Sequence, residues 1–149
     1  MDAFVDREEE LLFLDQQYTD ESAALVVLYG RRRVGKTSLV HQFAQDKPFI
    51  YFLASEEAER QNMQMLKGLI AGYTGDALLA QVDVDNWDIH FQTLAKHVSS
   101  RRLVLMLDEF QYLGKANPAF PSIFQRVWDV CLRHTNIRVT LIKRRAPSR

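Results

Sequence analysis

Ala23-Ala24-Leu25-Val26-Val27-Leu28-Tyr29-Gly30-Arg31-Arg32-Arg33-Val34-Gly35-Lys36-Thr37 is the stretch on which the fold turns. Its first seven residues are an apolar run rich in Val and Leu that ends at a glycine, the pattern of a strand buried on both faces of a parallel sheet. Gly30 to Thr37 fit G-x-x-x-x-G-K-[ST], and from Lys36 to Ala44 the apolar Leu39, Val40 and Phe43 recur at helical spacing. Strand, glycine loop and helix thus follow one another in the order a phosphate-binding loop needs. The glycines let the backbone curl so that its N–H groups point at phosphate oxygens, and the following helix adds the positive end of its dipole. Lys36 is then placed to reach the β- and γ-phosphates, and the Thr37 hydroxyl to coordinate a Mg²⁺ that bridges them. The nucleotide-contacting set is Gly30, Arg31, Arg32, Arg33, Val34, Gly35, Lys36, Thr37 and Ser38. For Arg31 to Arg33 two readings stand side by side: a solvated basic loop, or a raised positive potential for a polyphosphate.

Working outward, Phe49 to Ala54 is a second apolar run, and Glu56 to Tyr73 carries a helical pattern. Thr74, Gly75 and Asp76 form a polar cluster around a glycine and predict a turn. Trp87 to Val98 is a further helix, with Ile89, Phe91, Leu94 and Val98 on its apolar stripe. Leu103 to Leu107 is a fully apolar strand, Pro121 opens a helix that runs through Leu132, and Ile137 to Ile142 reads as a fourth strand. Strands alternating with helices of this length call for an α/β chain, a parallel sheet with right-handed crossovers in a three-layer α/β/α sandwich.

The strand Leu103-Val104-Leu105-Met106-Leu107 runs directly into Asp108 and Glu109. In open α/β sheets ligands bind beyond the carboxyl ends of the strands, where both this acidic pair and the Gly30 loop fall. Asp108 is the candidate metal ligand together with Thr37, and Glu109 the candidate to orient and polarise an attacking water, with Lys36 beside the transferred phosphate. Many small-molecule kinases on such a fold have no use for a water-activating Glu, so the pair favours hydrolysis over phosphoryl transfer to a metabolite.

Composition is consistent with this. At 149 residues, 47% of them hydrophobic and 26% charged, the chain suits one soluble domain with a real core. Its formal charge is zero, and the cations at 143, 144, 145 and 149 leave residues 1–142 with a net charge of −4. That body charge lends no support to nucleic-acid binding. One cysteine, Cys131, excludes an internal disulfide, and His41, His90, His97 and His134 lack metal-ligand spacing. No apolar run approaches the length of a spanning helix and the N-terminus is acidic, so neither a membrane nor secretion is expected and the cytoplasm is the natural location. Trp87 with Phe91 and Trp128 with Phe124, at helical spacing, read as core rather than as a base-stacking surface.

The chain resembles the prokaryotic AAA-type P-loop ATPases of the STAND-like branch in three places. These are Phe4-Val5-Asp6-Arg7-Glu8, the arginine-rich loop Gly30 to Thr37, and Leu107-Asp108-Glu109-Phe110-Gln111-Tyr112-Leu113. The stretch from Lys115-Ala116-Asn117-Pro118 through Trp128-Asp129 is similar too, so the likeness extends over about residues 3 to 142. It implies ATP and Mg²⁺ as ligands, Val5 and Arg7 as base or ribose contacts, and a sheet ordered 2-3-4-1-5. Core packing is the plainer reading of Phe4 and Val5. Such ATPases continue past the fourth strand into a polar sensor residue, a fifth strand and a helical lid. Here Lys143 to Arg149 stands in that place, so residues 1–142 are expected to be a partial core lacking the fifth strand and lid, with 143–149 a disordered basic tail. No guanine-reading Asn-Lys-x-Asp is present, which favours ATP over GTP. The expected function is Mg-dependent ATP binding and hydrolysis, coupled to a protein partner or homo-oligomer. The alternatives are a nucleotide-binding module or fragment that does not turn over, and a nucleic-acid-associated regulator acting through the tail.

Overall fold

The computed structural model describes residues 25–30, 42, 45, 47–81, 86–98 and 102–144. Among them run, in order, β1 (Leu25–Gly30), β2 (Phe49–Leu53), α1 (Glu59–Thr74), α2 (Ala77–Gln81), α3 (Trp87–His97), β3 (Leu103–Asp108), α4 (Gln111–Ala116), α5 (Phe120–Val130), a 3₁₀ turn (Leu132–His134) and β4 (Ile137–Arg144). The strands form one sheet in the order β1-β4-β3-β2, every neighbouring pair parallel. Read from the other edge this is 2-3-4-1, the order anticipated for the first four strands. The loop residues 31–38, and Val5 and Arg7, lie outside the described residues, as does nearly all of the helix expected from Lys36 to Ala44.

Burial follows the position of each strand. β3 is central, and all six of its residues are buried, as an unbroken apolar run requires. β2 lies at an edge and alternates: Ile50 and Phe52 are buried while Phe49 and Leu53 are exposed. On one face Ile50, Phe52, Leu103, Leu105, Leu107, Ile137, Val139 and Leu141 join Met63, Leu66 and Ile70 of α1, Phe91 and Leu94 of α3, and Phe120, Phe124 and Val127 of α5 in one core. Trp87, Phe91 and Phe124 are core residues and Trp128 packs against them, as their helical spacing suggested.

The helix boundaries have local causes. α1 starts at Glu59 rather than Glu56 because buried Asn62 shapes the loop before it. Its Oδ1 accepts from the Ser55 N–H at 3.0 Å and its Nδ2 donates to the Ser55 carbonyl at 3.2 Å. The helix ends at Gly75, whose φ of 72° is a left-handed cap that glycine adopts without steric cost. Asp76 then accepts from the backbone N–H groups of Leu78 and Leu79 and starts α2, a short helix the sequence pattern did not announce. Asn86 caps α3 by accepting from the Asp88 N–H at 2.8 Å. Pro121 lies in the first turn of α5, where a missing N–H costs nothing. β4 extends two residues past Ile142, so Lys143 and Arg144 belong to the strand; residues 145–149 lie outside the described part. No helix among the described residues is long and apolar enough to cross a membrane.

Candidate functional site

A parallel sheet brings the carboxyl ends of all its strands to one edge, and the candidate carboxylates stand there. Gly30 ends β1, where it pairs with Arg144, and Asp108 ends β3, where it pairs with Leu53. Only β4 separates the two strands, so the start of the glycine loop lies two strand spacings, about 10 Å, from Asp108. Sheet order thus brings Gly30 and Asp108, 78 positions apart in sequence, to the same edge.

Asp108 is 6% exposed and tightly held. Its carbonyl accepts from the Ala54 N–H at 3.0 Å, prolonging the β2–β3 ladder past the last strand residues. Of its carboxylate oxygens, Oδ2 accepts from the Tyr51 hydroxyl and Oδ1 from the Glu109 N–H at 2.7 Å. Each oxygen of an ionised carboxylate has two lone-pair positions, so both keep acceptor capacity. A hard dication held by one or two carboxylates together with phosphate oxygens needs such a fixed, incompletely used acceptor, and Asp108 fits Mg²⁺ in that respect. Among the described residues no three His, Cys, Asp or Glu side chains cluster to hold a metal.

Glu109 is the one non-glycine residue with positive φ among those described, at 53°. The left-handed conformation turns the chain sharply out of the strand, and it costs a side chain of this kind about 1–2 kcal/mol. The next residue secures the turn. The Phe110 N–H donates to the Ile142 carbonyl of β4 at 3.0 Å, and the Phe110 ring is buried with Phe120 and Phe124, each centroid 5.4 Å away. Lys143 Nζ sits 5.4 Å from the same ring centroid. Gln111, the first residue of α4, donates from Nε2 to Glu109 Oε1 at 3.0 Å. The two carboxylates therefore differ: Asp108 is buried at the strand end, and Glu109 is half-buried on a turn, held by an amide.

Further links join the elements around this edge. Glu59 Oε2 accepts from Trp87 Nε1 at 2.9 Å and from Asn117 Nδ2 at 2.7 Å, connecting the starts of α1 and α3 to the loop after α4. Lys115 bridges to Glu56 at 2.6 Å, but both side chains are exposed and the pair adds little stability. A cavity of about 180 Å³ lies elsewhere, between α3 and α5, lined by Asp88, Gln92, Arg126, Val127, Val130 and Cys131. None of the candidate site residues lines it.

Of those candidates the structure describes the Gly30 backbone, Asp108 and Glu109, and it brings them to one edge. Lys36, Thr37, Ser38, Arg31 to Arg33, Val34, Gly35, Val5 and Arg7 lie outside the described residues. Two residues at the site were not singled out from sequence. Tyr51 lies in an apolar run where one hydroxyl carries no periodic signal. Gln111 had a faint one, since it follows Glu109 at a spacing of two.

The parallel order 2-3-4-1, with an acidic pair at the end of the third strand and a G-x-x-x-x-G-K-T loop beginning at the end of the first, defines a P-loop NTPase. The chain belongs to a family of ATPase domains found predominantly in Archaea, which it matches over residues 4–143. An uncharacterized protein of Methanocaldococcus jannaschii is 32% identical over 139 residues, which are 93% of this chain and 29% of that protein. The chain thus spans less than a third of the length of that relative. A second protein of the same organism, described as an uncharacterized ATP-binding protein, is 52% identical over 44 residues, 30% of this chain and 75% of that one. Among solved structures, the Walker-type ATPase PABY2304 of Pyrococcus abyssi superposes with a TM-score of 0.65 at 20% identity, covering 92% of this chain and 44% of that one. A chain of Drosophila ORC bound to DNA gives 0.57 at 18% identity, covering 94% and 37%. At these identities the structural likeness concerns the fold. Family membership supports nucleotide binding by this chain.

Proposed function

We propose that the chain binds ATP with Mg²⁺ and hydrolyses it, as an AAA-type ATPase core of the STAND-like branch acting in the cytoplasm on a protein partner or within a homo-oligomer. The observation that carries the reading is the turn at Asp108 and Glu109, a left-handed residue directly after a fully buried strand, with each carboxylate held by its own donor. In this reading the main-chain amides of Gly30 to Thr37 cradle the phosphates, Lys36 neutralises charge on the β- and γ-phosphates, and Ser38 completes the loop. Thr37 and Asp108 would hold Mg²⁺, and Val5 and Arg7 the base and ribose. Bound there, the ion would supply positive charge that offsets the charge of the phosphates. Glu109 orients a water and accepts its proton, and the amide of Gln111 keeps the carboxylate turned toward one side while it does so.

Phosphate release by the wild type, Lys36→Ala and Glu109→Gln tests this. We expect Glu109→Gln to bind Mg-ATP and to release phosphate at least about 100-fold more slowly, the low end for loss of a general base. Lys36→Ala is expected to lose binding itself. Equal release by all three overturns the proposal, and tight Mg-ATP binding by a wild type that never turns over reduces it to a nucleotide-binding module.

A further inference from the structure

We propose that Tyr51 is a positioning residue for Asp108, one that sets the magnesium dependence of nucleotide binding without touching the nucleotide; this rests on the Mg-ATP site proposed above. The reasoning starts with register. Tyr51 pairs with Met106 and Leu53 with Asp108, so in this parallel ladder Tyr51 and Asp108 share a face as diagonal neighbours two positions apart. That diagonal is too long for a small side chain and within reach of an aromatic one that leans along its strand. The rest of β2 is Phe49, Ile50, Phe52 and Leu53, all apolar. The Tyr51 hydroxyl is thus the one polar side-chain group of the strand, and it donates to Asp108 Oδ2.

The geometry at Asp108 gives that hydroxyl a role. The Glu109 N–H holds Oδ1 at 2.7 Å and the Tyr51 hydroxyl holds Oδ2, so the carboxylate is pinned at both ends and its plane is set before any ligand arrives. Without the hydroxyl, one oxygen keeps its backbone donor and the other is released to rotate or to collect water. A ligand that must find both oxygens in a set plane then binds less well. Partners of this kind, behind a metal ligand, change metal affinity about 10–100-fold when removed. An anchoring role also accounts for the location of Tyr51 on an edge strand, since the donor must approach Asp108 from the side away from β4.

The test is ATP affinity by calorimetry, with and without Mg²⁺, for the wild type, Tyr51→Phe, Asp108→Asn and the double variant, each checked by thermal melting. We expect Tyr51→Phe to match the wild type in metal-free ATP affinity and to need about 10-fold more Mg²⁺ for half-maximal enhancement, the lower bound for such partners. On the Asp108→Asn background it should add nothing, since the residue it acts through is already altered. Tyr51→Met, which fills the space flexibly and lacks the hydroxyl, should repeat the result and stands in if Tyr51→Phe does not fold. Wild-type Mg²⁺ dependence in a folded Tyr51 variant overturns the inference, as does an equal further loss on the Asp108→Asn background. Either result leaves the ATPase proposal standing. A wild type whose ATP affinity ignores Mg²⁺ sinks the proposed site and this inference with it.

Discussion

Replacing Phe110 by alanine should unsettle the candidate site from beneath. The ring is 5% exposed, with the rings of Phe120 and Phe124 at 5.4 Å each, tilted and edge-on. Its backbone N–H bonds to β4, and it directly follows the strained residue of the acidic turn. Truncating a buried phenylalanine costs about 3–5 kcal/mol, the lost transfer energy plus the cavity left behind. For a chain of this length that lowers the melting temperature by roughly 2–4 °C per kcal/mol, so by about 6–20 °C in all. Total stability of about 5–15 kcal/mol leaves a folded population to assay at low temperature. The control is Phe91→Ala. Phe91 is 1% exposed, meets Phe124 edge-on at 5.7 Å and stacks on Trp87 at 6.4 Å, but lies on α3, one ring further from the carboxylates than Phe110, which it reaches only through Phe124. Urea unfolding should report similar losses for both variants. Mg-dependent ATP binding per folded molecule should survive in Phe91→Ala and weaken in Phe110→Ala, because only Phe110 holds the turn in place. A cost below about 1 kcal/mol for Phe110→Ala would contradict its burial. Binding equal to that of Phe91→Ala would show that the ring supports stability alone.

Three further outcomes follow from single features. Glu109→Gly removes left-handed strain worth about 1–2 kcal/mol and adds about 0.5–1 kcal/mol of chain entropy to be lost on folding. Its urea midpoint should therefore equal or exceed that of the wild type while phosphate release disappears, and a clear destabilisation would refute the strain argument. Gln111→Ala frees Glu109 Oε1 from its amide and should lower turnover several-fold with Mg-ATP affinity unchanged; loss of affinity instead would mean that Gln111 shapes the binding site. His90 is fully buried, its Nδ1–H donates to the Asn86 carbonyl, and its Nε2 has no partner among the described residues. Burial, and secondarily the Lys67 charge, holds its pKa below 6.5 despite the opposing backbone bond. The unfolded chain then binds the proton more readily, so stability is complete above pH 6.5 and is lost as the pH falls below it. Unfolding between about pH 5 and 8 should show a steeper acid loss for wild type than for His90→Gln, and parallel curves would refute this.

Much of the fold was legible because its strong signals are periodic or punctuated. Unbroken apolar runs marked β1, β2 and β3, an apolar stretch interrupted by Arg138 and Thr140 marked β4, and a glycine among polar residues marked the end of α1. The short helices were missed for a physical reason. α2 spans 5 residues and α4 6, too few turns to develop an apolar stripe, and both depend on local capping or on anchoring by neighbours. β2 looked like any buried run, since an edge strand differs from a central one in what lies beside it. The start of α1 was misplaced because the Asn62 bonds that hold the preceding loop reach back seven residues, which no helical pattern reports.

The candidate site divides along the same line. Asp108 and Glu109 could be singled out as candidates from sequence because two contiguous carboxylates directly follow an unbroken apolar strand. Tyr51 and Gln111 could not, because their contribution depends on where a neighbour lies. Tyr51 is 57 positions from Asp108 and meets it only once β2 and β3 are in register. A slip of one residue in that ladder would move every β2 side chain to the opposite face and take the hydroxyl away from the carboxylate. Ile50 and Phe52, buried in the core face, oppose such a slip. The apolar residues of β2 thus hold the register, and the register sets Asp108, so a polar contact of the site rests on the packing of two side chains on the opposite face of the same strand.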